Sequence, residues 1–358
     1  MKRRLLFVVL VLIGVLVSLQ WPGHAREVNA LAASACSGPA CAPRMERDAG
    51  AKAPYQRPAE IPYPDDNQYS AAKSALGRLL FFDPILSRSG ATSCASCHNP
   101  GLSWADNLPR SIGDTGEELP IRAPTLLNVA WVSMLGWDGK FSGLESMTFA
   151  PITGRMNMNL AEPVLLTRLT AIPGYVDQFE AAFGDRSVTR ERIEKAVATF
   201  ERSIVSPPAP FDRWIDGDAA AIDETAKRGF DLFNGRAGCA ACHSGWAFTD
   251  NSFHDIGTAT GDDLGRGTRF TSSVKLRYAF KVPTLRDAAR RGPFMHDGSV
   301  PTLAAVIDLY DKGGIDRPSR SPKIKPLNLT DAEKADLIAF LNTLTSDPEP
   351  TVMPVLPR

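Results

Sequence analysis

The sequence predicts a mainly α-helical protein built from two related domains. Apolar residues recur at helical spacing, most clearly over 193–204, where Thr189 is placed to cap the helix. A capping box of Thr330 and Glu333 precedes the last predicted helix. Alternating strand patterns are scarce, and the two halves of the chain repeat short motifs in the same order. The length of 358 residues fits about two domains.

The strongest local signal is a Cys-x-x-Cys-His motif that occurs twice, at 94–98 and at 239–243. Two thiols three residues apart lie on one helical turn, so both can form thioethers to one porphyrin, and the following histidine can ligate its iron. The residues assigned to attachment and proximal ligation are Cys94, Cys97, His98, Cys239, Cys242 and His243. A redox site or half of a zinc site is the alternative, which the histidine after both copies disfavours. We therefore expect two covalently bound c-type haems in cytochrome c-like domains.

The N-terminus has the features of a signal peptide. Three basic residues precede an apolar run over 5–19, which is too short for a comfortable membrane span, and Gly23-His24-Ala25 resembles a signal-peptidase site. We predict that 1–25 is cleaved off; an uncleaved anchor is the alternative. Since no second hydrophobic run follows, the mature protein is expected in the periplasm without a membrane span.

Charge and cysteine content restrict the partners. The chain has 40 acidic and 40 basic residues, so nothing indicates binding to nucleic acid. Two of the six cysteines, Cys36 and Cys41, lie outside the haem motifs, and an oxidising compartment would allow a disulfide between them.

Composition divides the rest of the chain into segments. Residues 26–68 lack periodicity and are predicted to form a tail that wraps the surface or stays mobile. The first haem domain is assigned to 69–206 and the second to 211–346. The stretch Pro-Pro-Ala-Pro at 207–210 is the predicted linker between them.

The two halves repeat more than the haem motif. A Pro-Thr-Leu segment occurs in each half, followed at the same distance by an aromatic or imidazole residue before Asp-Gly, and then by a leucine. The matched positions are Pro124 and Pro283, Trp137 and His296, and Leu144 and Leu303. Such spacing indicates an internally duplicated haem domain.

The repeat also distinguishes the two haems. Tyr310 follows His296 at the distance at which Pro151 follows Trp137. Tyrosine can ligate iron and proline cannot. The first haem is therefore expected to be open to peroxide, and the second to be six-coordinate; a buried aromatic residue is the alternative role for Tyr310. The rival sixth ligands on the sequence alone are Met295, His254 and His296.

Together these features resemble the superfamily of bacterial dihaem cytochrome c peroxidases and MauG proteins. The resemblance covers roughly residues 70–345 and includes both haem motifs, the duplicated Pro-Thr-Leu segments, the Trp-Asp-Gly stretch at Trp137 and the segment 294–298. It implies a dihaem c-type oxidoreductase that reacts with hydrogen peroxide. Trp137 matches the tryptophan that lies between the haems of the family and couples them.

Within the superfamily, the residue at Tyr310 separates two groups. Cytochrome c peroxidases usually carry Met at this position, whereas MauG-like proteins carry Tyr. A phenolate is a hard, anionic ligand that lowers the potential and stabilises oxidised iron. MauG-like proteins complete the tryptophan tryptophylquinone cofactor of methylamine dehydrogenase by oxidising a precursor protein, and the resemblance implies the same activity for this chain.

The chain departs from the family pattern at three places. Asn157 lies near the position of the distal glutamate that helps to cleave the O–O bond, and an amide cannot shuttle a proton as a carboxylate does. Arg122 replaces the asparagine that binds calcium between the domains, with Arg291 opposite, which weighs against a calcium ion without excluding it. Ala237 replaces the surface tryptophan through which MauG draws electrons, although Trp246 lies nearby.

We predict that peroxide binds at the first haem near Pro151 and Asn157. Trp137 then carries oxidising equivalents to the second haem, which His243 and Tyr310 hold, and a protein substrate returns the electrons over distance. The implied substrate is the methylamine dehydrogenase precursor. One alternative is a cytochrome c peroxidase that takes electrons from a small cytochrome or a cupredoxin. The other is a dihaem electron-transfer protein without enzymatic activity.

Overall fold

The structure is a computed structural model that describes residues 52–358. The predicted signal peptide and both Cys36 and Cys41 lie outside the described residues. Within them, helices dominate, which confirms the predicted fold class, and no helix in 52–358 is long and apolar enough to cross a membrane.

Six helices form the half of the structure that contains the first haem motif. They are α1 (Ala71–Phe82), α2 (Cys94–Cys97), α3 (Leu144–Thr153), α4 (Glu162–Thr170), α5 (Pro173–Phe183) and α6 (Arg190–Arg202). A long loop with short 3-10 turns connects α2 to α3, so irregular chain joins the first haem motif to the helix that contains Pro151.

The second half has four helices and a short antiparallel ladder. The helices are α7 (Pro210–Ile215), α8 (Glu224–Asn234), α9 (Leu303–Lys312) and α10 (Asp331–Thr343). Strands β1 (Phe253–His254) and β2 (Phe280–Lys281) pair with Phe253 opposite Lys281. The proline-rich stretch 207–210 follows α6, and its last residue, Pro210, is the first residue of α7.

Two of the predicted helix caps are confirmed. The hydroxyl of Thr189 accepts a hydrogen bond from the backbone N–H of Arg192 at 3.3 Å, at the start of α6. At the start of α10, Thr330 and Glu333 satisfy each other's backbone N–H groups reciprocally. Each cap satisfies backbone donors that have no partner within the helix.

In both halves a glycine lets two helices cross closely. A Cβ atom on Gly77 of α1 would lie 1.9 Å from the carbonyl oxygen of Ala196 in α6. The matching Gly229 of α8 would meet the carbonyl oxygen of Asp336 in α10 at 2.0 Å. Only glycine permits this approach, so the repeat predicted from the sequence also appears in the helix packing.

The segment 52–68 follows the surface of both halves and inserts two side chains into them. Tyr55 packs among the aromatic side chains of the second core, and its hydroxyl donates to Asn234 Oδ1 at 2.6 Å. Asn67 is buried on the first half and donates to Glu145 Oε1 at 2.8 Å. Of the two behaviours predicted for the tail, this described part shows the wrapping one.

Candidate functional site

The first haem motif lies in the wall of the largest described cavity, which has a volume of about 710 Å³. Cys94 and Cys97 are the first and last residues of α2, and His98 follows it directly. All three side chains line the cavity, whose other walls are largely apolar. Two thiols and an imidazole on one turn, facing an apolar space, fit a covalently attached haem.

The two motif histidines share one hydrogen-bond arrangement. His98 Nδ1 lies 3.3 Å from the carbonyl oxygen of Trp104, and His243 Nδ1 lies 3.0 Å from that of Phe248. A proton on Nδ1 leaves Nε2 as the free nitrogen, which is how ligand histidines are usually oriented. Burial lowers the pKa of both imidazoles, which favours the neutral form that binds metal.

Burial raises the pKa of two motif thiols, that of Cys97 to about 11 and that of Cys239 to about 12. Reactive cysteines form thiolates where nearby positive charge lowers the pKa, so a redox site is disfavoured at these two thiols. In the second motif, Cys242 lies with Asp250 and His254 in a group whose ligand atoms are within 4.8 Å of one another. The zinc alternative is therefore disfavoured by the histidine that follows both motifs and not by the surroundings of the thiols.

The second motif lines a separate cavity of about 190 Å³ together with Tyr310. Within residues 52–358 the Tyr310 hydroxyl has no hydrogen-bond partner, and burial raises its pKa above the ordinary value. The Tyr310 side chain is partly exposed and lines the wall of this cavity. A hydroxyl that borders the cavity without a protein partner is compatible with ligation of iron, which stays a prediction.

The three rival ligands also line the second cavity, but two of them are already engaged. His296 Nε2 lies 2.5 Å from Asp263 Oδ2, and its ring stacks on Phe280 with centroids 3.6 Å apart. His254 Nε2 lies 2.9 Å from the hydroxyl of Ser252. Met295 is the rival without such a contact among the described residues.

The segments that repeat at equal spacing in the sequence also form matching helices and hydrogen bonds in the structure. Helices α3 and α9 begin at Leu144 and Leu303 and have ten residues each. The hydroxyl of Thr125 donates to the carbonyl of Ser103 at 2.6 Å, and that of Thr284 donates to Ala247 at 2.6 Å. Each bond ties a Pro-Thr-Leu segment to the loop that follows a haem motif.

The predicted distal residues Pro151 and Asn157 both line the first cavity. The two other acids that sequence reasoning considered for the distal position lie elsewhere. Glu145 forms an ion pair with Arg202, and Glu162 forms one with Arg190 at 2.9 Å. Neither lines this cavity, so neither is placed to act on a ligand of the first haem.

Sequence reasoning missed Glu201, which is the one acidic residue lining the first cavity. Burial raises the pKa of its carboxyl to about 8. Val197, one turn earlier on α6, lines the same cavity. Residues four apart share a helix face. Glu201 therefore lies on the same face of α6 as the apolar residue Val197, and an acidic residue on an apolar helix face was the signal available in the sequence.

Trp137 lies between the two haem cavities and lines both. Its indole N–H donates to the carbonyl oxygen of Arg122 at 3.0 Å, which fixes the orientation of the ring. The ring centroid lies 6.4 Å from that of His296 in the second half. Its expected position between the haems stays a prediction.

A third, smaller cavity of about 60 Å³ adjoins Trp137 and is rich in cations. Arg122 and Arg291 line it, as sequence reasoning anticipated, and Lys281 is an additional cation that it missed. Burial lowers the pKa of Lys281 to about 8 and that of Arg291 to about 10. No acidic residue among 52–358 lines this cavity.

Neither Ala237 nor Trp246, the two positions considered for electron entry, is a free surface site. Ala237 is buried in the wall of the second cavity. The ring of Trp246 packs edge-on against Trp131 of the first half, with centroids 4.9 Å apart. Trp246 is therefore part of the contact between the two halves.

Comparison with known proteins identifies the family. A model of the di-haem cytochrome c peroxidase family matches residues 71–220, and a cytochrome c model matches 226–345. The chain is 49% identical to the methylamine utilization protein MauG of Methylorubrum extorquens, over 92% of this chain and 95% of that protein. The chain belongs to the MauG and dihaem cytochrome c peroxidase family. A second MauG, from Methylophilus methylotrophus, is 45% identical over 85% of this chain and 91% of its own length.

A solved structure of this dihaem family supports the fold. The chain resembles a MauG-like protein associated with microbial copper homeostasis, with a TM-score of 0.76 and 31% identity. The match covers 82% of this chain and 95% of that one. The predictions of two cytochrome c-like domains, two c-type haems and a haem-dependent oxidoreductase are thereby confirmed.

Proposed function

We propose that this dihaem oxidoreductase acts in the periplasm and uses hydrogen peroxide to oxidise a protein substrate without contact between substrate and haem. The proposed substrate is a precursor of methylamine dehydrogenase, in which the enzyme completes the tryptophan tryptophylquinone cofactor. The names of the two MauG relatives support this substrate class. The family relationship supports peroxide and a protein partner in general.

The observation that carries the proposal is the difference between two matched helices. Pro151 on α3 and Tyr310 on α9 stand at equivalent positions and line the first and second cavities, respectively. With His98 and His243 as proximal ligands, haem iron supplies the redox chemistry. Pro151 offers no ligand atom and keeps the first cavity open for peroxide, whereas Tyr310 offers a phenolate in the second.

Proton handling in the first cavity falls to the chain's own side chains. The amide of Asn157 can hold a peroxide by hydrogen bonding but cannot take or give a proton at its nitrogen. The Glu201 carboxyl can do both, and its raised pKa of about 8 makes it a proton donor at neutral pH. We assign proton delivery to Glu201, directly or through a water, and positioning to Asn157.

Trp137 is assigned the electronic connection between the haems. It lines both cavities, and the Arg122 carbonyl holds its indole N–H. With a haem in each cavity, its aromatic ring would lie in the wall that separates the two prosthetic groups. Trp137→Phe keeps an aromatic ring but shortens it, so oxidation of the second haem after peroxide addition should slow while peroxide consumption at the first haem persists.

The decisive experiment supplies the purified dihaem protein with peroxide and immature methylamine dehydrogenase. Formation of quinone absorbance and of amine dehydrogenase activity is the expected result. The Tyr310→Met variant should produce neither the quinone absorbance nor the amine dehydrogenase activity. No quinone with the wild-type protein, under conditions in which a known MauG forms it, would refute the assigned substrate.

The two alternatives make different predictions for the same preparation. A cytochrome c peroxidase would rapidly oxidise a reduced small cytochrome or cupredoxin when peroxide is added. A non-enzymatic electron carrier would show two low-spin ferric haems and no spectral change with peroxide. The proposal requires one high-spin and one tyrosinate-ligated low-spin ferric haem, so absorption and EPR spectra separate the three.

A further inference from the structure

Lys281 occupies a position that is shared by all described cavities around the haem motifs. Its side chain lines the first haem cavity, the second haem cavity and the small cavity between them. Its backbone N–H donates to the carbonyl oxygen of Trp137 at 2.8 Å, which anchors strand β2 beside the indole. The ammonium group has no hydrogen-bond or ion-pair partner within residues 52–358.

Two arginines complete a cationic cluster with Lys281. Arg122 donates to the carbonyl oxygen of Arg291 at 3.0 Å, and Arg291 donates to the carbonyls of Thr284 and Arg286 at 2.9 and 2.8 Å. These contacts orient the guanidinium groups. The charges of Asp106 and Asp287 act favourably on Arg122 and Arg291, respectively, but neither acid lines any of the three cavities. None of the three cations forms an ion pair with a described carboxylate.

Such a cluster favours a bound anion. Removing an unpaired charge from water is unfavourable, and like charges that share a small space repel each other. Each bound haem brings two propionate carboxylates, which are the missing counter-charges. Because Lys281 lines both haem cavities, it would lie beside both prosthetic groups when they are bound.

We propose that Lys281, with Arg122 and Arg291, forms a carboxylate site between the haems that binds propionates from both of them. The site replaces the calcium ion that the family resemblance implies. Calcium prefers carboxylate and carbonyl oxygens, whereas the walls of this cavity carry three cations and no acidic side chain. A resident ammonium supplies the positive charge that a metal ion would otherwise bring.

The test compares midpoint potentials of both haems in the purified dihaem protein and in three variants. Lys281→Gln removes the charge, Lys281→Arg retains it, and Lys275→Gln removes an exposed lysine charge as the matched control. Loss of a positive charge beside an iron stabilises the ferric form. We expect Lys281→Gln to lower both potentials, and the other two variants to leave both near the wild-type values.

Several results would overturn the proposal. In Lys281→Gln, a shift at neither haem or at only one would exclude a shared site, and an equal shift in Lys281→Arg would exclude a role of charge.

Wild-type measurements provide a second test that does not depend on folding of a variant. Removal of divalent ions by a chelator should leave both potentials unchanged, and so should exchange of chloride for sulfate at constant ionic strength. A shift on chelation would indicate a metal ion, and a shift on anion exchange a free anion; either would refute propionate binding by Lys281. None of these measurements uses a protein substrate, so they remain valid if the proposed function fails.

Discussion

Pro151 and Tyr310 are the eighth residues of two helices that have the same length and begin at matched leucines. Each side chain lines the cavity of its own haem motif. The duplication therefore preserves the length and start of this helix while the side chain at one point differs. In the proposed function, a ring without a ligand atom and a phenol at this point would make the two haems chemically unequal.

Replacement of Tyr310 by Met should change the second haem and spare the first. A neutral thioether favours ferrous iron more than a phenolate does, so the potential of the second haem should rise in Tyr310→Met. Spectroelectrochemistry with resolved haems measures this. Tyr278→Phe is the control, since the Tyr278 hydroxyl only donates to the carbonyl of Gly261 at 3.2 Å. An unchanged second potential in Tyr310→Met would refute ligation by Tyr310.

Introduction of an acid at Asn157 should accelerate the reaction with peroxide. A carboxyl at position 157 would add a second proton-transfer group to that of Glu201, and general acid–base catalysis is worth about 10²-fold or more. Asn157→Glu is expected to react with peroxide on the order of 10²-fold faster in stopped-flow absorption measurements. Asn157→Gln keeps the amide and serves as the control. Equal rates for both variants would show that position 157 does not limit proton transfer.

Glu201 predicts a pH dependence of stability. Burial raises the pKa of its carboxyl from the ordinary 4.5 to about 8 in the folded chain. Between these values the folded state binds one proton more than the unfolded state, so the free energy of unfolding falls as pH rises from about 4.5 to about 8. Glu201→Gln lacks this contribution and should lose less stability over that range. Urea unfolding at about pH 5 and about pH 8 measures the difference.

The control for Glu201 lies on the same helix. Glu191 is exposed and pairs with Lys195 at 2.7 Å, and this hydrogen bond lowers the pKa of its carboxyl. Glu191→Gln should therefore keep the wild-type loss of stability above pH 5. If the free energy of unfolding falls equally between the two pH values in Glu201→Gln and in the wild type, the raised pKa does not belong to Glu201.

Gly77 predicts a destabilising effect that contradicts helix propensity. In an isolated helix, Gly→Ala stabilises by about 1 kcal/mol. At Gly77, however, the added Cβ would lie 1.9 Å from the carbonyl oxygen of Ala196, so α1 and α6 must separate. Gly77→Ala should destabilise by about 3 kcal/mol, as overpacking does. Chemical unfolding checks this, with the exposed Ala75→Gly on the same helix as the control.

The sequence alone determined the features that are encoded by neighbouring residues. The haem motifs occupy one turn each, and the caps of α6 and α10 join residues three positions apart. The repeat needed only a comparison of intervals along the chain, and from it followed the contrast between Pro151 and Tyr310. These signals were sufficient for the fold class, the cofactor and the family because each depends on local chemistry or on spacing.

Only the tertiary structure decided which side chains meet across the molecule. Glu201 lies on a helix that is distant in sequence from the first motif, and a long loop separates Lys281 from the second motif. Their significance arises from burial against cavities whose walls come from several segments. Tyr55, from the tail, joins the second core for the same reason. Burial and charge pairing depend on packing between distant segments, which no local pattern in the sequence records.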